Sequence, residues 1–145
     1  MATGQRIDPY RNFNFFVEID GITQAGFTDC SGFGSNTDPI EYREGNNPKY
    51  PRKLPGMTKY NNVTLKWGLT DSLDLYNWYR DIATGKIERK NLSIVVVDID
   101  GTTEVGRWNC FEAWPTKWDG PDFTAKGNDI AIETLELAVE RIERA

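Results

Sequence analysis

The chain has 145 residues with 17 basic and 22 acidic side chains and no histidine, so its formal net charge is −5. This length suits one domain, which we expect to span residues 1–145, and 39% apolar content with 12% aromatics is enough to build a core. The absence of histidine excludes Ser–His and Cys–His nucleophiles, HExxH zinc sites and an imidazole general base. Any catalysis would depend on carboxylates, lysine or tyrosine.

The cysteines and the N-terminus indicate where the protein is made. Cys30 and Cys110 are too few for a disulfide scaffold, and we expect buried free thiols, with a single disulfide as the alternative. The polar N-terminus lacks the apolar stretch of a signal peptide, and the longest aliphatic run, residues 94–97, is far shorter than the roughly 20 residues that span a bilayer. We therefore expect a soluble protein, made in the cytoplasm, that does not insert into a membrane.

The first third of the chain alternates apolar and polar residues. Residues 13–19 follow this pattern and predict a half-buried strand. Asp20-Gly21 indicates a hairpin turn, with a second strand at about residues 22–30. After a glycine-rich break, residues 40–44 predict a short third strand.

A proline-rich segment follows. Pro48, Pro51 and Pro55 exclude a helix interior or a central strand from residues 45–56. We predict a loop or an irregular extended arm there, and a strand at residues 63–67 after it.

One helix is well marked by an apolar stripe at i, i+3, i+4 and i+7, formed by Leu75, Trp78, Tyr79 and Ile82. Asp71 or Thr70 is predicted to cap its N-terminus, and Gly85 to end it. We expect the stripe to pack against a sheet.

The last third of the chain is again strand-like. Residues 92–99 and 103–114 predict strands joined by a turn, and residues 115–127 predict a loop. Residues 129–144 fit either a bulged strand or a helix, and propensity alone slightly favours the helix. The fold class is therefore mainly β: an antiparallel sandwich or barrel with one flanking helix.

The sharpest enzyme motif is a hydrophobic strand that ends in DxDGT, as in haloacid-dehalogenase-type phosphatases. Asp98 would be the nucleophile and Asp100 the general acid/base, and both would help to hold Mg²⁺. Only 43 residues follow Thr102, too few for the later motifs of that family, and they continue as a strand. We favour the alternative, a β-hairpin with an Asp-Gly turn and no catalysis.

Other candidate sites are weaker. The glycine-rich stretch after the second strand has no phosphate-loop motif. Asp119 and Asp122 could bind Ca²⁺, although aspartates in loops more often cap or turn the backbone. Three tryptophans could stack on sugars or bases in a monomeric binding module, although packing in a core or between subunits is more common: Trp108, Trp114 and Trp118.

The charges are unevenly distributed along the chain. Residues 45–70 contain no acidic side chain and carry +5, so the other 119 residues carry −10. A basic arm on an acidic body suggests that copies of the chain dock on one another. A solvated loop is the alternative, and the acidic total argues against nucleic acid as the partner.

Short motifs in order along nearly the whole chain resemble the inner tube family of contractile phage tails and related injection systems (the Hcp-like tube fold). The motifs are FVEIDG at 16–21, GFTDCSGF at 26–33, IEYREG at 40–45, KLPG at 53–56, NVTLKWG at 62–68, LYNW at 75–78, NCFEAWP at 109–115, GNDIAIE at 127–133 and LEL at 135–137.

The resemblance implies a structural protein without catalytic residues, cofactor or metal. Six copies would form a ring whose sheets join into one barrel, and rings would stack into a tube that conducts a payload, either DNA or effector proteins. The implied partners are the sheath, baseplate and cap or terminator proteins. The resemblance also makes the final segment a strand, against the propensity for helix.

The resemblance also assigns assembly roles within the chain. Residues 1–11 would form an N-terminal arm, and residues 45–57 the loop that contacts neighbouring subunits and rings. The expected assembly residues are Tyr42, Arg43, Glu44, Lys49, Tyr50, Arg52, Lys53, Leu54, Pro55 and Met57. Polar residues of the alternating strands would line the lumen, and the proline-rich variant at residues 46–52 slightly favours an injection system over a phage tail.

Overall fold

The structure is a computed structural model, which describes residues 14–22, 26–43, 45, 49–98, 100–123, 127 and 130–145. Within them the chain forms one helix and nine strands. The elements in order are β1 (Asn14–Ile19), β2 (Phe27–Ser31), β3 (Ser35–Tyr42), β4 (Arg52–Tyr60), β5 (Val63–Gly68), α1 (Asp74–Ala83), β6 (Lys90–Val97), β7 (Glu104–Asp119), β8 (Ile132–Ala138) and β9 (Arg141–Arg144). The expected N-terminal arm lies outside the described residues.

The main sheet folds over on itself and has two halves. Sheet A holds β1, β6, the first half of β7 and β9, and sheet B holds β2, β5, β8 and the second half of β7. All of these strands pair antiparallel with their neighbours. The predicted fold class, mainly β with antiparallel sheets and one helix, is confirmed.

The long strand β7 joins the two halves by bending at one point. Glu112 adopts a positive φ of 54°, where the register of β7 against β6 also shifts. The Glu112 N–H donates to Asn91 Oδ1 at 3.0 Å. At the same level the last strand breaks between β8 and β9, and the Glu140 N–H donates to Phe111 O at 3.0 Å. The strand β7 and its neighbour, which continues from β8 into β9, therefore pass from one sheet to the other at the same level.

The core lies between the two halves of the sheet. Sheet A contributes Val17, Leu92 and Ile94, and sheet B contributes Leu65 and Leu135, all of them at most 8% exposed. The helix closes one side of this core with Leu75 and Trp78 buried, while Tyr79 and Ile82 pack against it half-buried. The Trp78 Nε1–H donates to Glu88 O at 2.7 Å, so the largest buried side chain of the helix keeps its polar atom satisfied.

Three sequence-based expectations about element bounds were wrong. The predicted loop at 115–127 begins later, because β7 continues through Pro115 to Asp119 while it pairs with β8. The proline-rich segment is a strand from Arg52 onward, and Pro55 fits because a two-stranded hairpin leaves one edge of each strand without a partner. Neither Thr70 nor Asp71 caps the helix, since Leu73 is the N-cap and no side chain bonds to the cap.

The final segment is strand, as the resemblance implies, and the helix that propensity favoured is wrong. The alternating apolar residues of β8 and β9 pair with β7 on both sides of the break at residues 139–140. Burial of Leu135 and Leu137 against sheet A outweighs the helical propensity of alanine, leucine and glutamate. No helix in the described ranges is long and apolar enough to cross a membrane.

Candidate assembly surfaces

The strands β3 and β4 form a two-stranded arm, named here by its range, residues 35–60, which contacts the sandwich at its base, where Tyr60 packs against the core. It consists of β3, β4 and their connection, and its two strands pair only with each other in the described residues. Every residue of β3 is exposed, and so is most of β4. A two-stranded ribbon with no core of its own is at best marginally stable in water, which makes this arm a candidate contact surface.

The outer part of the arm has an apolar face and a polar face. Ile40 pairs with Leu54 on one face, and Tyr42 joins them there because alternate residues of a strand share a face. Glu41 pairs with Lys53 on the opposite face. The bulge opposite Asp38 brings Gly56 close to Ile40, where an added Cβ would approach the Asp38 carbonyl oxygen to 2.6 Å.

The structure brings the predicted assembly residues together along this arm. Tyr42 ends β3 and Arg43 follows it, while Lys49 and Tyr50 lie in the connection. β4 carries the remaining ones: Arg52, Lys53, Leu54, Pro55 and Met57. All of those described are exposed, up to 66% for Tyr50 and 71% for Met57, and Glu44 lies outside the described residues. The sequence analysis did not name Ile40, which is exposed on the same face as Tyr42, although its alternation with Tyr42 is a readable signal.

The basic window at residues 45–70 is not one surface. Lys49, Lys53 and Lys59 lie on the arm, whereas Lys66 lies in β5 of sheet B. There Lys66 pairs with Asp29 on one side and Thr134 on the other. The charge of +5 counted over residues 45–70 therefore combines side chains from two separate regions of the structure.

The face of sheet B that points away from the core is polar. One row across the four strands consists of Asp29, Lys66, Thr134 and Asp119, and the next consists of Ser31, Thr64, Glu136 and Lys117. The row between them faces the core and includes Leu65 and Leu135, both with no exposed surface. Asn62 Nδ2 donates to Glu136 Oε1 at 2.9 Å and so extends the polar network along this face.

Sheet B has two edges that could accept a neighbour. β2 pairs with β5 alone, and the second half of β7 pairs with β8 alone, as far as the described residues go. Open edges present unpaired N–H and C=O groups, which other proteins cover or use for pairing with another chain.

The DxDGT motif is a hairpin turn between β6 and β7. The Gly101 N–H donates to Asp98 O at 2.8 Å, and the strand pairing resumes with Val97 opposite Glu104. Asp100 accepts bonds from the Thr103 hydroxyl at 2.6 Å and from the N–H groups of Thr102 and Thr103 at 2.9 and 3.0 Å. The Thr103 hydroxyl bond, with these N–H bonds, lowers the Asp100 pKa to about 2. A carboxylate held this way stabilises the turn and is a poor general acid.

The other sequence candidates have structural roles. Cys110 is buried and Cys30 half-buried, both as free thiols, and burial raises their pKa values to about 11 and about 12. Trp108 packs against Phe33 at 5.5 Å between ring centroids, and Trp118 packs edge-on against Tyr76 at 5.1 Å. Among the described residues, no group of three His, Cys, Asp or Glu side chains could hold a metal ion.

A comparison with protein families identifies the chain. Residues 11–143 match the family described as T4-like virus tail tube protein gp19. The chain belongs to this tail tube family. No curated protein sequence matches it.

Solved structures of tube assemblies resemble the chain over most of its length. One is from the cap of the anti-feeding prophage, at 31% identity and TM-score 0.85, covering 97% of this chain and 93% of that one. Another is from the sheath–tube complex of the extracellular contractile injection system PVC, at 29% identity and TM-score 0.84, covering 94% and 91%. Hcp1 from Flavobacterium johnsoniae shares the fold, at 17% identity and TM-score 0.62, covering 90% and 94%.

The family and these neighbours consist of structural tube proteins, not enzymes. The role of a structural tube subunit therefore fits this chain. The phosphatase hypothesis receives no support from them, and the hairpin geometry of its motif explains the match to DxDGT.

Proposed function

We propose that the protein is the inner tube subunit of a contractile injection system and acts by assembly alone, without catalysis. The observation that carries this proposal is the family membership over residues 11–143, together with the similarity to a tube from an extracellular contractile injection system. An injection system is favoured over a DNA-carrying tail because the more similar structures come from such particles.

A ring of six copies, the number that the resemblance implies, would close sheet B into a continuous barrel. The open edge of β2 would lie beside the open edge of the second half of β7 in the next copy, and closure would remove both edges. The hydrogen bonds of the joined edges would make the ring rigid.

The polar face of sheet B would then line the lumen. Its other face is covered by sheet A and the helix within the same copy, so only the polar face is left for the inside of the ring. Asp29, Asp119 and Glu136 would face the lumen together with Lys66 and Lys117, a mixed and slightly acidic wall. Such a wall offers a passing payload little apolar surface for adhesion.

The partners follow from the same assignment. The similar chains come from a sheath–tube complex, a tube-terminating cap and a baseplate, and we propose the same classes of partner here. The arm at residues 35–60 would contact neighbouring copies within and between rings. Assembly would take place in the bacterial cytoplasm, before the particle acts on its target.

Purified protein at increasing concentration tests this function by analytical ultracentrifugation and negative-stain electron microscopy. We expect hexamer-sized rings that stack into hollow tubes. Strict monomers at every concentration, or Mg²⁺-dependent phosphate release that is lost in Asp98→Asn, would reject the proposal.

A further inference from the structure

The exposed large apolar side chains of the described residues concentrate in two places. One is the arm, with Ile40, Tyr42, Tyr50, Leu54 and Met57, between 48% and 71% exposed. The other we call the end patch: Leu69, Leu73, Tyr76, Phe123 and Ile130, between 36% and 79% exposed. Monomeric soluble proteins rarely leave such groups uncovered, so each place is a candidate contact surface.

The end patch lies where four elements of the body meet. β5 ends at Gly68, β7 ends at Asp119, β8 begins at Ile132 and α1 begins at Asp74. The Leu69 N–H donates to Ala131 O at 2.9 Å, which holds Leu69 beside the segment that carries Ile130. The Tyr76 ring packs on Trp118 and connects the helix side of the patch to β7.

The charges of the two surfaces are complementary. Asp71 and Asp74 are exposed between and beside the patch residues Leu69, Leu73 and Tyr76, and residues 67–79 contain no basic residue. From Gly45 to the end of β4 the arm contains no acidic residue and presents Lys49, Lys53 and Lys59, whereas β3 carries Asp38 and Glu41, and Glu41 pairs with Lys53. Opposite charges beside matching apolar surfaces favour one docking orientation over others.

The two surfaces lie at opposite ends of sheet B. The arm leaves the body next to the start of β5, where the Asn61 N–H donates to Gly34 O at 2.9 Å. The end patch begins just after the other end of β5, about 20 Å away at roughly 3.3 Å per residue. Side chains of both surfaces are exposed, so neither covers the other within one copy.

We propose that the apolar face of the arm of one copy docks on the end patch of a copy in the next ring, with Lys49 beside Asp71 and Asp74. Contacts between unlike surfaces at opposite ends of a subunit do not close on themselves, and they propagate as a stack. This inference rests on the proposed tube function and names the acceptor of the arm.

The first experiment disrupts the patch without changing the core. Ile130→Glu and Leu69→Glu place charge in the patch, and Ile87→Glu is the matched control, because Ile87 is 69% exposed outside both surfaces. We expect both patch variants to form hexamer-sized rings at the wild-type concentration, and to need at least about tenfold more protein for stacking. Ile87→Glu should stack like the wild type.

A second experiment exchanges charges between the two surfaces. Lys49→Glu, and separately Asp71→Lys, should each impair stacking, and the combination of both should restore it at least in part. A third experiment mixes Met57→Cys and Ile130→Cys copies under mild oxidation. We expect an inter-copy disulfide dimer there, and none with Met57→Cys and Ile87→Cys.

The outcomes separate this inference from the function on which it rests. If the wild-type protein forms neither rings nor tubes, the tube function fails. If rings form and the patch variants stack like the wild type, or the Met57–Ile130 cysteine pair does not cross-link in assembled tubes, the end patch is not the acceptor and the tube function stands.

Discussion

The body and the arm of this protein satisfy opposite physical requirements. In the body, alternate residues of β5, β6 and β8 are buried, and several of them have no exposed surface at all. In the arm, two strands of similar length leave all or nearly all of their side chains in water. Both regions use the same antiparallel pairing, so backbone hydrogen bonds alone do not distinguish them.

The difference shows what each region contributes. The body derives its stability from apolar burial, which is roughly proportional to the area removed from water. The arm buries little apolar surface within a single copy, so we expect it to add little to the folding of that copy. Substitutions in the body should therefore change the unfolding free energy, and substitutions in the arm should change association.

The largest effect should come from truncating the core. Leu135 has no exposed surface and lies opposite Leu65 and Trp118, so Leu135→Ala should lower the unfolding free energy by about 3 kcal/mol. Leu54→Ala removes the same atoms from an arm residue that is 48% exposed and should cost less than about 0.5 kcal/mol. Urea denaturation of dissociated subunits measures both values. Equal losses of unfolding free energy would contradict the conclusion that the body, and not the arm, stabilises the single copy.

Charge reversal in the arm should leave folding intact and impair assembly. The triple variant of Lys49, Arg52 and Lys53 to Glu should raise the concentration needed for tube formation roughly tenfold or more, with the effect falling at high salt. Arg80→Glu with Lys86→Glu, on and after the helix, provides a control. If the triple variant forms tubes of wild-type length, the arm does not contribute to assembly.

The bend in β7 offers a test within the body. A non-glycine residue at φ 54° is strained, so Glu112→Gly should raise the unfolding free energy by about 1 kcal/mol, offset in part by the greater freedom of glycine in the unfolded chain. Glu112→Ala keeps a Cβ at the same backbone angle and should show no such gain. Thermal denaturation of the two variants in parallel gives the difference.

The smallest effect concerns the turn that carries the DxDGT motif. The Asp100 pKa lies at about 2 in the folded protein against an ordinary value of 3.8. Its stabilising contribution is therefore fully present above about pH 4 and is lost as the pH falls through 2. We expect the unfolding midpoint of Asp100→Asn to fall less steeply between pH 4.5 and pH 2.5 than that of the wild type. An unchanged slope in Asp100→Asn would show that the turn contributes nothing measurable.

Local patterns in the sequence were sufficient for much of the body. The alternation of residues 14–19 and 63–67 and the helical stripe from Leu75 to Ile82 predicted elements that the structure contains at nearly the same places. They succeed because burial of one face imposes a period of two on strands and of 3.6 on helices. The turn at Asp100-Gly101 was predicted correctly for the same local reason.

Other features depend on residues that are distant in the chain. The final segment has helical propensity, and only its pairing with β7 makes it a strand. Pro115 was expected to end a strand, but the second half of β7 pairs on one side only in the described residues, so it tolerates a residue that has no N–H to donate. The charge of Lys66 was counted with the arm in a sequence window, but Lys66 lies between Asp29 and Thr134 on sheet B.

Composition, periodicity and ordered motifs thus determined the fold class, the absence of histidine chemistry and the resemblance to tube proteins, because each of these is written in local residue types. The tertiary structure alone decided which side chains share a surface: the two faces of the arm, the polar rows of sheet B, and the end patch assembled from four elements. Those surfaces join residues up to about a hundred positions apart, such as Asp29 and Thr134 on either side of Lys66. Strand order and register bring them together, and no local pattern encodes either.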